Sequence, residues 1–152
     1  MTSKSTCQIC GRAIKASKGL IAHHGYQRPN QGWQTRSCFG ARYRPYEIAC
    51  DALPLAIASC EAFIERRQTA IHEWWRNPPD KIEVRRGSYG KGVVTYPRPP
   101  GFMAPAQVPT SYNPNTYEGQ HARVRLEMLR DIRGAQESIP EFRKRLDDWK
   151  AP

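Results

Sequence analysis

Two residues separate Cys7 from Cys10, twelve separate Cys10 from His23, and an isolated Cys38 follows, in a 46-residue opening segment with no aspartate or glutamate. Thiolates and an imidazole at this spacing can surround a Zn²⁺ ion. Metal binding then supplies folding free energy that a segment without a sizeable apolar core lacks. Five cysteines, an odd number that includes a C-x-x-C pair, suit a metal site with extra free thiols better than a disulfide framework.

Two ligand positions have competitors. His24 competes with His23, because neighbours on a short helix differ by about 100° and a frayed turn can present either. Cys38 is the most economical fourth ligand, with residues 25–37 closing over the metal as a loop. Cys50 competes with it, but falls on a helical stripe where burial as a small hydrophobe is the simpler role, as for Cys60. With four side-chain ligands and no spare carboxylate nearby, the site is closed and structural; hydrolytic zinc needs an open position and usually a general base.

Ile14, Leu20 and His23 follow the cysteine pair at the offsets of a hairpin hydrophobe, a helix hydrophobe and a helix ligand. Residues 7–24 therefore resemble the C2H2 and C2HC zinc fingers, except that Gln27, Arg28 and Pro29 stand where those families place the fourth ligand. The resemblance implies a short hairpin plus a helix, with base-reading positions at Ala16, Gly19 and Ala22. None of those three side chains can hydrogen-bond a base, so sequence-specific major-groove reading is not expected. His23-His24, Asn30 and Cys38 also resemble HNH-type nuclease sites in part, but the second histidine or asparagine near the end of that motif is missing. His72-Glu73 lacks the second histidine of a metalloprotease helix, and a non-enzymatic protein is expected. The run GLIAHHGYQRP followed by SCFGAR is similar to small proteins of bacteriophages and other bacterial mobile elements over roughly residues 7–53, which implies an accessory role.

Charge is concentrated in blocks. Residues 1–46 carry eight basic and no acidic residues, 47–80 three and six, 81–115 five and one, and 116–152 eight and seven. Such a distribution predicts a one-sided positive field suited to polyanions or an acidic protein face. The candidate contact residues are Lys15, Lys18, Tyr26, Arg28, Trp33, Arg36, Arg42 and Arg44 in the first block and Arg85, Arg86 and Lys91 in the second. Lys and Arg neutralise phosphates, and aromatics stack on unpaired bases. The expected function is nucleic-acid binding with little sequence preference, DNA and RNA both remaining open. The alternative is a phage-encoded inhibitor or adaptor gripping an acidic surface of a host protein.

Beyond residue 45 the apolar pattern becomes helical. Tyr46, Cys50, Leu53, Ile57, Cys60, Ile64, Ile71 and Trp74 fall on one face, with Arg67 interrupting the series and Asn77-Pro78-Pro79 ending it. Ile82 and Val84, a glycine-rich turn, then Val93, Val94 and Tyr96 predict a β-hairpin over 81–96. Six prolines in 97–114 predict an extended crossing segment over 97–115. Met128, Ile132, Ala135, Ile139, Phe142, Leu146 and Trp149 predict a second helix, with Ser138-Ile139-Pro140-Glu141 as a capping box that restarts it. The expected fold is mainly α: a zinc-finger module over 1–45 docked on an antiparallel helical hairpin over 46–152, with a small β-hairpin insertion. The stripes can also serve a homodimer. No apolar run is long enough to cross a bilayer, and a cytoplasmic location is expected, in the host bacterium if the chain is phage-encoded.

Overall fold

The computed structural model describes residues 4–27, 34–86, 92–109 and 111–152. Among the described residues, two long helices and seven short strands form an α+β arrangement rather than a mainly helical one. The strands are β1 (Lys4–Thr6), β2 (Ala13–Ser17), β3 (Leu20–Ile21), β4 (Gly25–Gln27), β5 (Gln34–Ser37), β6 (Lys81–Arg86) and β7 (Gly92–Pro97). The helices are α1 (Ala52–Arg76) and α2 (Tyr117–Asp148). All strand pairs are antiparallel, in the orders β1-β2-β3, β4-β5 and β6-β7. Residues 1–62 with 136–152 form one compact unit, and residues 63–135 form a second.

Among the described residues of the first unit there is no finger helix. Lys18 and Gly19 both take positive φ, 52° and 76°, between the Ser17↔Leu20 pair. Two consecutive left-handed residues are the signature of a tight hairpin turn whose twist matches its strands, so the chain folds back where a helix was expected. The segment expected to be irregular after His24 is partly a second hairpin, with Gly25 opposite Ser37 and Gln27 opposite Gln34.

The buried apolar residues of this unit are mostly small: Cys7, Ile21, Ala41, Ala49, Ala52, Leu53 and Ala56. Its order rests heavily on polar contacts. Gln8 is fully buried, donates to the Arg44 carbonyl and to Asp51 Oδ1 (both 2.8 Å), and accepts from the Ala52 amide at 2.8 Å. That last bond satisfies a first-turn N–H of α1 that has no partner inside the helix. Helix α1 therefore begins at Ala52 rather than near Tyr46, and Pro54 sits in its first turn, where a missing N–H costs nothing.

In the second unit, the β6–β7 hairpin pairs from Lys81↔Pro97 to Arg86↔Gly92, as expected from its alternation. Ile82, Tyr96 and Tyr117 form its core, with Trp74, Val84, Val94 and Phe102 packed against them. The α1 and α2 segments of this unit run antiparallel. Arg67 pairs with Asp131 at 2.9 Å, while Trp74 and His121 exchange hydrogen bonds: His121 Nε2 donates to the Trp74 carbonyl (3.1 Å) and Trp74 Nε1 to the His121 carbonyl (3.4 Å). The described residues between β7 and α2 contain no helix or strand, in line with their prolines.

Thr116 caps α2 by accepting from the Gly119 amide at 3.1 Å. The helix does not restart at Ser138. It runs unbroken to Asp148 with Pro140 inside, where an interior proline costs about 3 kcal/mol. Contacts beyond Pro140 offset that cost: Arg143 pairs with Glu61 at 3.0 Å, and Trp149 Nε1 donates to the Tyr46 carbonyl at 2.7 Å.

Candidate metal centre

Cys7 follows β1 and opens a tight turn in which the Gly11 amide bonds back to the Cys7 carbonyl and the Cys7 amide bonds to the Arg12 carbonyl, both at 3.0 Å. This turn brings Cys10 beside Cys7. His24 and Cys38 flank the β4–β5 hairpin, and the Cys38 amide bonds to the His24 carbonyl at 2.8 Å. Backbone pairing at the base of one hairpin thus delivers two ligands to the pair held by the turn.

The ligand atoms of Cys7, Cys10, His24 and Cys38 all lie within 4.8 Å of one another. Cys7 Sγ and Cys38 Sγ are 3.9 Å apart, and Cys10 Sγ and His24 Nε2 are 3.3 Å apart. Tetrahedral coordination with Zn–S bonds of ~2.3 Å puts sulfurs about 3.8 Å apart, so the set is compatible with a metal ion such as zinc.

The third member is His24, not His23. His24 is buried, and its Nδ1 donates to the Ala22 carbonyl at 2.9 Å, which leaves the Nε2 lone pair facing Cys10. A second hydrogen bond of this kind fixes tautomer and ring orientation in metal-binding histidines. His23 is exposed and spent elsewhere: Arg42 Nε donates to its Nε2 at 2.8 Å, and its Nδ1 bonds Ser37 Oγ at 2.8 Å. Residues 22–24 are not helical, so the two neighbouring histidines face different ways instead of sharing a frayed turn.

Arg42 can only donate, so its bond to Nε2 leaves the His23 proton on Nδ1, which donates to the Ser37 oxygen.

The hydrogen bond from Cys38 holds the Cys7 thiol down to about 4, against the opposing effect of burial. Donating that bond, together with burial, pushes Cys38 up. The contact between the two sulfurs thus favours one thiolate in the pair, the form that binds metal. Cys50 and Cys60 stand half-buried outside the cluster, and burial pushes the Cys60 thiol up.

Two features of the surroundings were not signalled by spacing. A Cβ on Gly40 would lie 2.5 Å from Cys7 Sγ, so only glycine lets the Cys38 loop approach this closely. Arg145, from the last turns of α2, donates through Nη1 to the carbonyls of Ile9 (2.7 Å) and Gln8 (3.2 Å), inside the turn that carries Cys7 and Cys10. Tyr46 closes this contact by donating to the Arg145 carbonyl at 2.5 Å.

Of the expected contact residues, Lys15 lies exposed on β2, Lys18 on the β2–β3 turn, Arg42 and Arg44 after the Cys38 loop, and Arg85 on β6. Arg44 is ion-paired with Asp51 at 3.3 Å. Tyr26, Arg36 and Arg86 are placed by backbone only, in β4, β5 and β6; Arg28, Trp33 and Lys91 lie outside the described residues. The positions Ala16, Gly19 and Ala22 belong to a strand, a turn and a loop, so no reading helix presents them. Phe39 was not among the expected residues. It is 45% exposed and stacks on Tyr43, with ring centroids 5.8 Å apart.

Among the described residues, no helix is long and apolar enough to cross a membrane. No protein-family model matches the chain, and no curated protein or solved structure matches it significantly.

Proposed function

We propose that the first unit is a zinc-stabilised, non-enzymatic module that binds nucleic acid through its phosphates, with little sequence preference. One observation carries this reading: Lys4 and Lys15 are direct cross-strand partners on β1 and β2, both exposed, in a segment without a single carboxylate. Like charges directly opposite each other destabilise a strand pair, and an external polyanion relieves that repulsion. Lys18 and Arg42 add further cations, and the exposed Phe39 ring offers a face on which an unpaired base can stack.

Zinc is the metal this reading assigns, because three thiolates and one imidazole form a soft donor set and leave no open position for a substrate. Its role is to hold the β1–β2 and β4–β5 elements in place.

Fluorescence anisotropy with labelled random-sequence 20-mers, single- and double-stranded, tests the proposal. Affinity is expected to fall steeply between 50 and 300 mM salt, with a log–log slope of about −0.9 for each duplex phosphate neutralised, and to differ little between sequences. Absence of binding at low salt overturns it and favours an acidic protein surface as the partner.

A further inference from the structure

The second unit buries a cation that no acid among the described residues pairs with. Arg125, on α2, is only 8% exposed. Its Nη1 donates to the Pro105 carbonyl at 2.6 Å and its Nη2 to the Ala106 carbonyl at 3.3 Å, while Nε is buried with no hydrogen-bond partner among the described residues. No ion pair among the described residues includes it. Burial pushes its pKa down, the expected response of a charge surrounded by neutral groups. A desolvated charge of this kind is costly unless paired.

The same arginine lines a cavity of about 260 Å³ together with Ile71, His72, Trp75 and Ala106. Trp75 is fixed by its Nε1 bond to the Ala104 carbonyl at 3.1 Å, so its indole forms a defined wall. An apolar cavity with a few convergent polar groups is the usual form of a small-molecule site.

We infer that this cavity binds a small monocarboxylate carried on a flat apolar group. Arg125 supplies the single compensating charge, His72 a further polar group, and Ile71, Trp75 and Ala106 the apolar lining. The volume lies just below the range of drug-sized sites, roughly 300–1,000 Å³, which selects for a compact ligand. This site is independent of the nucleic-acid reading, since it uses none of the residues proposed to contact phosphate.

The test is a titration of the zinc-loaded full chain with benzoate, read by the Trp75 indole N–H resonance, assigned with Trp75→Phe. Benzyl alcohol, which keeps the ring and lacks the charge, is the control. The expected result is a saturable millimolar shift with benzoate and a response at least tenfold weaker with benzyl alcohol. Arg125 also anchors the Pro105–Ala106 backbone, so the blocking variant is Ala106→Phe, which fills the cavity from an exposed position and leaves the arginine intact. It is expected to abolish the shift while preserving the unfolding midpoint. No saturable shift, an equal response to benzyl alcohol, or full binding by Ala106→Phe overturns the inference.

Discussion

Arg145 donates a 2.7 Å hydrogen bond to the carbonyl of Ile9, a partner 136 residues away in the chain. The bond joins the end of α2 to the turn between the first two cysteine ligands. Order at the metal centre and order in the C-terminal helix are therefore linked, because each holds the geometry the other requires.

Replacing Arg145 with Ala removes a charged donor from two carbonyls, and a hydrogen bond to a charged group contributes about 1.5–3 kcal/mol. Zinc affinity measured by competition with a chromogenic chelator is expected to fall about ten- to a hundredfold. Arg145→Lys, which can reach one carbonyl at a time, is expected to fall between wild type and the alanine variant. Unchanged affinity in the alanine variant means that the helix does not support the ligand turn.

The two histidines separate cleanly by mutation. His24→Ala removes a ligand and is expected to weaken zinc binding by at least two orders of magnitude. His23→Ala removes only contacts to Ser37 and Arg42, and is expected to leave zinc affinity within about threefold. Calorimetric titration of both variants with zinc checks the assignment; equal losses refute it.

Stability and nucleic-acid affinity are expected to move in opposite directions at Lys15. Lys15→Glu places an opposite charge across from Lys4, a change that favours the strand pair by roughly 0.2–1 kcal/mol. Its thermal midpoint should rise slightly, while affinity for a random 20-mer at 100 mM salt should fall about tenfold. A parallel loss of both properties would show that Lys15 acts only through folding.

The second unit should be acid-sensitive through His121. Burial, the largest cause, holds this imidazole below its ordinary value of 6.5. The unfolded chain takes up the proton near 6.5, whereas the folded chain does so only at lower pH. The stabilisation is therefore complete above 6.5 and is lost as pH falls from there towards the folded value. Urea midpoints followed by tryptophan fluorescence are expected to drop between pH 7 and pH 5, and His121→Gln should flatten that slope.

The cysteine members of the cluster were legible in the sequence because C-x-x-C spacing is local and metal chemistry admits few residue types. The choice between His23 and His24 was not legible. It depends on whether residues 18–24 are helix or hairpin: the zinc-finger offsets of Leu20 and His23 imply a helix, whereas Lys18 and Gly19 turn the chain back with positive φ. The apolar stripes of both helices were readable from their period, and all their members are buried or half-buried. The boundaries were less so: Tyr46 and Cys50 share the spacing of α1 but precede it, and contacts on both sides of Pro140 override its tendency to break α2. Gln8 and Arg145 gave no signal, since a buried glutamine and a helix arginine look like surface residues until their distant partners are in place.

Zinc content of the purified full chain, measured by plasma mass spectrometry after gel filtration in metal-free buffer, is the most direct test of a metal-organised amino-terminal unit. The expected values are about one equivalent for the wild type and a large loss for Cys38→Ser, with the circular-dichroism signal of α1 and α2 mostly retained. A wild-type chain with little bound zinc, or a Cys38→Ser variant that keeps its full complement, contradicts it.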